Sequence, residues 1–262
     1  MVLLLLVNAL LLIVNVIDIK WVWLGFEYSP DFDLKQFVHE GTYLLIISIL
    51  LSMGIMLYFF RDNLNFYQKS GIIKKLTYIW IAQNTILAVS VAIRNFHYIT
   101  YWGLAYKRIG VILFLIAAGY GLYSLYIKIR HTKTAYFLIK KNTMAVFVIL
   151  LIASLINWDS IITTHNLNHP IKENMETSYL LTMSDKVLPL IDQNQEILNQ
   201  EQSLNTYAHF GSYSYKEYYK LRVALFLSRY KKESWTSWNS QEWKAYSYYK
   251  NLKSHEKGVN KI

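Results

Sequence analysis

Apolar residues gather into five long runs within the first 163 positions: Val2–Leu24, Gly41–Phe60, Leu76–Ile93, Ile109–Ile127 and Met144–Ile162. The hydrocarbon core of a bilayer is about 30 Å thick and takes about 20 predominantly apolar residues in helix. Inside lipid each backbone polar group must find its partner within the segment. The pattern therefore predicts an all-α fold, a polytopic transmembrane helix bundle of about five spans over residues 1–163, followed by a small helical extramembrane region over residues 164–262.

Beyond residue 163 the apolar positions become periodic instead of continuous. Tyr179–Ile191 sets Leu180, Met183, Val187 and Leu188 at helical spacing and predicts a short helix despite Pro189. Gln193–Asn205 is polar and reads as a linker or a solvated helix. In Tyr215–Lys231 the residues Tyr219, Val223, Phe226 and Tyr230 recur on one helical face. Asn239 is placed to cap a further helix through the amide of Glu242, with Trp243, Tyr246 and Tyr249 along one side. A tail of this length can bury a small core. Its tyrosines and tryptophans suit that core, a surface on lipid headgroups beside Lys216, Lys220, Arg229, Lys231 and Lys232, or a binding face.

Charges between the runs set a direction. Gly25–Glu40 holds Glu27, Asp31, Asp33 and Glu40 against Lys35, whereas Arg61–Lys75 holds Arg61, Lys69, Lys74 and Lys75 against Asp62. Tyr98–Arg108 holds Lys107 and Arg108, and Lys128–Lys141 holds Lys128, Arg130, Lys133, Lys140 and Lys141. Basic loops stay on the cytoplasmic side, which predicts an inside N-terminus and an outside tail. Trp21, Trp23 and Tyr28, then Tyr58–Phe60, then Tyr98, Tyr101 and Trp102, and finally Trp158 mark the span edges, where amphipathic rings collect.

Composition changes this picture little. The net charge of +10 divides into +7 before residue 164 (14 Lys and Arg against 7 Asp and Glu) and +3 after it (13 against 10). The loops account for the basic balance, so the bilayer is the expected partner and nucleic acid is not. The chain has no cysteine, which excludes disulfides, thiolate catalysis and Cys-held metal. The start lacks a basic n-region and a small-residue cleavage site, so Val2–Leu24 is expected to be a retained span. With no polar lead-in, the chain is compatible with a shortened version or a fragment of a protein with more helices in front.

Polar residues inside the spans fall on stripes. Asn8 and Asn15 lie about 20° apart on a helix and Asp18 one turn further, while Gln83 and Arg94 share a face of the third span with Asn84 and Ser90 nearby. Such groups knit helices together or line a substrate path. The predicted topology brings Glu40, Arg94, Arg108 and Asp159 to one depth at the outer face, from four different helices. Arginine–carboxylate pairs there would form an ion-pair lattice fixing helix order, or a polar pocket for a headgroup, ion or peptide. Asp18 could join only if the first span ends early.

The segments around these residues, FVHEGTYLL (Phe37–Leu45), RNFHYITYWGLAYKR (Arg94–Arg108) and INWDSIITTHN (Ile156–Asn166), carry a family likeness. They resemble three recurring motifs of an uncharacterised bacterial multi-spanning membrane family, catalogued as a domain of unknown function (DUF4153/DUF4173). The matching positions are His39, Glu40, Gly41, Arg94, Tyr98, Gly103, Leu104, Arg108, Asn157, Asp159 and Asn166. Trp102, Ala105 and Trp158 depart from the pattern, which favours Tyr, Thr and Pro there. The likeness covers roughly residues 37–191, with Trp235–Asn239 similar to a tryptophan-containing segment of the family. It implies a bacterial inner membrane location and further spans ahead in full-length relatives, and it supplies no reaction.

Other chemistry is thin. His165 and His169 stand at i, i+4 but are followed at once by Pro170 and have no adjacent third ligand. His39-Glu40 lacks the second His of a zinc-protease helix, because Tyr43 stands in its place. No phosphate loop, nucleophile elbow or triad is written in the chain, so no metal or cofactor is expected. The leading expectation is a non-enzymatic sensor-like, accessory or scaffold subunit with a membrane-protein partner. The alternative is a transporter or lipid-handling membrane enzyme that uses Glu40, Arg94, Arg108 and Asp159.

Overall fold

A computed structural model describes residues 2–24, 43, 45–51, 54–55, 71–169, 177–199, 213–232 and 234–259. The described residues are helical or in short connections, with no strand among them. They form two compact units, Met1–Ile156 and Asn157–Ile262.

In the first unit α1 (Val2–Asp18) passes directly into a π-helical turn, Ile19–Leu24. Then come α2 (Gly71–Trp102), α3 (Tyr106–Arg130) and α4 (Ala135–Leu155). These four, α1 taken with its π-turn, are long and apolar enough to cross a bilayer. Within the predicted second span the described residues 43, 45–51, 54 and 55 are all helical. The chain is thus a multi-pass membrane helix bundle.

Hydrogen bonds fix the direction of the helices. Asn8 on α1 donates to the Leu76 carbonyl of α2 at 3.3 Å, and Asn15 donates to the Gln83 carbonyl at 3.1 Å. Both partners advance together, so α1 and α2 run parallel. Residues 103–105 and 131–134 join α2 to α3 and α3 to α4, and connections that short make each successive pair antiparallel. Parallel neighbours need a return crossing between them. Leu45 and Ile49 supply part of it, since they share one core with Leu4, Leu11, Trp80, Leu87, Val91, Leu125 and Ile129.

The third and fifth runs differ from their predicted bounds at both ends. The third run extends past both ends of 76–93, because Gly71–Lys75 and Arg94–Trp102 keep helical geometry until Gly103 breaks it with φ 72°. The fifth run begins at Ala135 rather than Met144, with the long stems of Lys140 and Lys141 accommodated inside the helix. It also ends at Leu155 rather than Ile162. Ile156 is extended, and the Asn157 side chain caps a new helix by accepting from the Ser160 amide at 3.4 Å. Trp158 and Asp159 therefore open a separate element.

The second unit holds α5 (Trp158–Leu167), α6 (Thr177–Leu180), α7 (Leu188–Asp192), α8 (Tyr215–Tyr230) and α9 (Ser240–Val259), with 3₁₀ turns at Asp185–Val187, Gln195–Asn199 and Trp235–Ser237. The single helix expected over 179–191 is three short pieces. Pro189 sits in the first turn of α7, where its missing N–H costs nothing, so it starts a helix instead of interrupting one. Leu180, Met183, Val187 and Leu188 are nevertheless buried as expected, together with Leu181, Ile191, Ile197 and Leu198. In the segment read as a linker, Ile197 and Leu198 join this core, and residues 200–205 lie outside the described residues.

Helix α8 forms where its periodicity places it. Ser214 and Glu217 make a reciprocal capping box, and Tyr219 and Phe226 are buried. At α9 the cap differs from expectation. Asn239 accepts from the Gln241 amide at 2.9 Å, and Glu242 stands 3.7 Å from Arg229. Ala245 and Tyr249 are buried, Tyr246 stacks on Tyr230 with ring centres 4.5 Å apart, and Trp243 is 50% exposed.

Candidate functional site

The polar stripes of α1 and α2 meet. Gln83 Nε2 donates to Asn8 Oδ1 at 3.3 Å, Trp23 Nε1 donates to Ser90 Oγ at 2.9 Å, and Arg94 Nη2 donates to Asp18 Oδ1 at 2.5 Å. Asn8, Asn15, Asp18, Gln83, Ser90 and Arg94 are all buried. The seam thus runs up the two helices and ends in an ion pair whose side chains are 8% and 6% exposed. Asp18 makes this pair while the first membrane-crossing helix continues through its π-turn to Leu24. The sequence placed Asn8, Asn15 and Asp18 on one stripe and Gln83 and Arg94 on another, and the structure joins the two.

Arg108 works at the corner between α2 and α3. Its Nη1 donates to the carbonyl of Trp102 at 2.8 Å and also to that of Gly103. Its guanidinium lies 4.1 Å from the centre of the Tyr98 ring, and its own carbonyl accepts from Asn95 at 3.2 Å. The last carbonyls of a helix lack partners within it, and a cation there also meets the negative end of the helix dipole. Gly103 supplies the left-handed turn, its amide closing onto the Ile99 carbonyl at 2.9 Å. Tyr98, Gly103, Leu104 and Arg108, read from the sequence as motif positions, therefore come together as one helix-ending corner, with Tyr98 and Leu104 buried.

The other candidates belong to the second unit or lie outside the described residues. His39, Glu40 and Gly41 lie outside the described residues. Asn157, Asp159 and Asn166 belong to α5 in the second unit: Asn157 caps it, Asp159 occupies its first turn where the helix dipole favours an acid, and Asn166 is buried. His165 and His169 stack with ring centres 5.8 Å apart. Burial holds the His165 imidazole below its usual pKa, and a charge on His169 lowers it further. Among the described residues no third His, Cys, Asp or Glu completes a metal set with them.

A second polar centre, in the tail, escaped the sequence. Asp192 accepts from the Tyr219 hydroxyl at 2.8 Å, the Tyr248 hydroxyl at 2.9 Å and Gln195 Nε2 at 3.0 Å, and the Tyr219 and Tyr249 hydroxyls are 2.7 Å apart. Nearby Arg222 ties the α6–α7 segment to α8, donating to the carbonyls of Leu181 and Met183 at 2.5 and 2.8 Å and pairing with Asp185. No periodicity announces an acid surrounded by tyrosines that lie 27 and 56 residues away.

Burial raises the phenol pKa of Tyr219, Tyr248 and Tyr249 above the usual 10.0, and hydrogen bonding to Tyr249 and Asp192 raises that of Tyr219 further. A folded-state pKa above the unfolded value gives stability that is present below pH 10 and lost as pH rises through the folded values. The second unit should therefore begin to unfold above pH 10. Tyrosinate absorbance and circular dichroism should change together there, and Tyr219→Phe should reduce the pH dependence.

Compared with known protein families, residues 1–194 match the model described as Domain of unknown function (DUF4153). The chain belongs to this family. The match takes in the first span as well as the three motif segments, and Trp235–Asn239 lies outside it. No curated protein and no solved structure matches the chain. Family membership therefore marks the α1–α2 seam and the α2–α3 corner as parts of the DUF4153 domain and assigns them no activity.

Proposed function

We propose that the protein is a non-enzymatic accessory or sensor-like subunit of the bacterial inner membrane that holds a membrane-protein partner. In this reading the N-terminus is cytoplasmic and residues 157–262 are extracytoplasmic. The observation that carries it is the cover of α4: only 6% of its apolar window is buried, against 28–39% for the other three membrane-crossing helices among the described residues. Leu138, and the bond from Ser124 to Asn142 at 3.0 Å, hold its first turns to α3. Met144, Phe147, Leu151 and Leu155 beyond them are exposed, leaving a long apolar face for another membrane helix. The engagement of Arg94 by Asp18 and of Arg108 by backbone carbonyls favours structural work for these charges over headgroup binding.

Co-purification from membranes in mild detergent tests the reading. A stoichiometric membrane protein should remain attached to the full chain and be released by a Phe147→Ala, Leu151→Ala variant that is itself normally folded. A chain that purifies alone, or a partner indifferent to that variant, would overturn it. Orientation is checked separately by reporter fusions: one after Lys133 should read cytoplasmic and one after Ile262 extracytoplasmic.

A further inference from the structure

Among the described residues, Asn15 Oδ1, Asp18 Oδ2 and Gln83 Oε1 on the α1–α2 seam meet no hydrogen-bond donor. Their residues are only 3%, 5% and 8% exposed. An orphaned acceptor is costly anywhere in a protein interior and more so between two membrane-crossing helices. All three are acceptors that a small hydrogen-bond donor would satisfy. The helix geometry is also broken at this point, since α1 changes from α to π winding immediately after Asp18.

We propose that the seam from Asn15 and Gln83 to Asp18 binds water, forming a hydrated site that gives the buried Asp18 carboxylate contact with the aqueous phase. Water suits the oxygens because each molecule donates two hydrogen bonds and a buried one uses two to four polar partners. Asn8, Asn15, Asp18, Gln83, Ser90 and Arg94 line this stretch. A metal cation fits less well, because the Arg94 guanidinium already sits on the same carboxylate at 2.5 Å and repels a second positive charge. The hydration also gives the polar stripes a use beyond joining helices: a proton can reach Asp18 through them.

The absence of cysteine from the chain makes the test direct. Single-cysteine variants Asn15→Cys and Ser90→Cys are placed on the seam, and Leu12→Cys and Ile13→Cys on the lipid-facing side of α1, where the native residues are 56% and 62% exposed. Ser90→Cys is nearly isosteric and guards against a folding failure of the other. Each full-length variant is exposed to silver ion in lipid nanodiscs, then denatured, and the thiols still reactive to a maleimide are counted. Silver reacts with thiolate, which forms only where water reaches. The seam cysteines should be protected about tenfold faster than the lipid-facing ones. Equal rates would overturn the proposal. Slowing of the seam reaction by excess sodium would also overturn it, by showing an alkali cation in place of water.

Discussion

Replacing Asp18 with alanine should remove most folded protein from the membrane. The substitution takes the carboxylate from a guanidinium that is more than nine-tenths buried between α1 and α2. Breaking a buried pair on one side costs about 3–5 kcal/mol, a large part of the 5–15 kcal/mol that holds a typical domain together. Arg94→Leu alone should be similarly damaging, because it strands the Asp18 charge. The double variant Asp18→Ala, Arg94→Leu should recover much of the loss, since a buried pair replaced on both sides by apolar groups is often neutral. The quantity to measure is monodisperse protein extracted per membrane and its melting temperature. Single and double variants that behave alike would show that the two residues do not act as a pair.

The second large effect belongs to the tail. Asp192→Ala should destabilise the unit 157–262 by about 3 kcal/mol, because hydrogen bonds to a charged group contribute about 1.5–3 kcal/mol each. Two of its donors, Tyr219 and Tyr248, come from α8 and α9, so the loss loosens both long helices from α7. Near-ultraviolet circular dichroism should report it through the tyrosines, and limited proteolysis should cut between α7 and α8 sooner. Asp192→Asn, which keeps an acceptor oxygen, should lose less. An alanine variant with unchanged melting would remove Asp192 from the centre of this unit.

Much of the architecture was legible in the chain because lipid leaves few alternatives. Hydropathy located the membrane-crossing helices, and the seven-residue advance of Asn8 and Asn15 put them on the stripe that faces α2. Helix ends were less visible. Asn157 ends the apolar run by capping, a competition between one side chain and the backbone that an apolar average smooths over. Pro189 misled in the same way, since its effect depends on whether it falls in the first turn of a helix or its interior.

The candidate residues were legible in the sequence, and the structure adds contacts of Arg94 and Arg108 that the sequence did not show. Arg94 and Arg108 are both structurally engaged, yet Arg94 meets Asp18 and Arg108 meets the carbonyls of its own corner. Charge and depth alone suggested Glu40 and Asp159 as the carboxylates and left out Asp18 and the carbonyls. A count of charges per depth treats backbone carbonyls as silent, and at a helix C-terminus they are strong acceptors. The Asp192 centre lay beyond sequence reasoning because its donors come from three separate elements.

Helices α1 and α2 run parallel in one register, bound by the seam from Asn8 to Arg94. Paired cysteines in this otherwise cysteine-free chain, joined by a short thiol cross-linker in native membranes, test it most directly. The pairs Asn8→Cys with Leu76→Cys and Asn15→Cys with Gln83→Cys should cross-link, whereas Asn15→Cys with Leu76→Cys, about two helical turns out of register, should not. Efficient linking of the out-of-register pair with failure of the in-register ones would contradict the seam, and with it the pairing of Asp18 and Arg94.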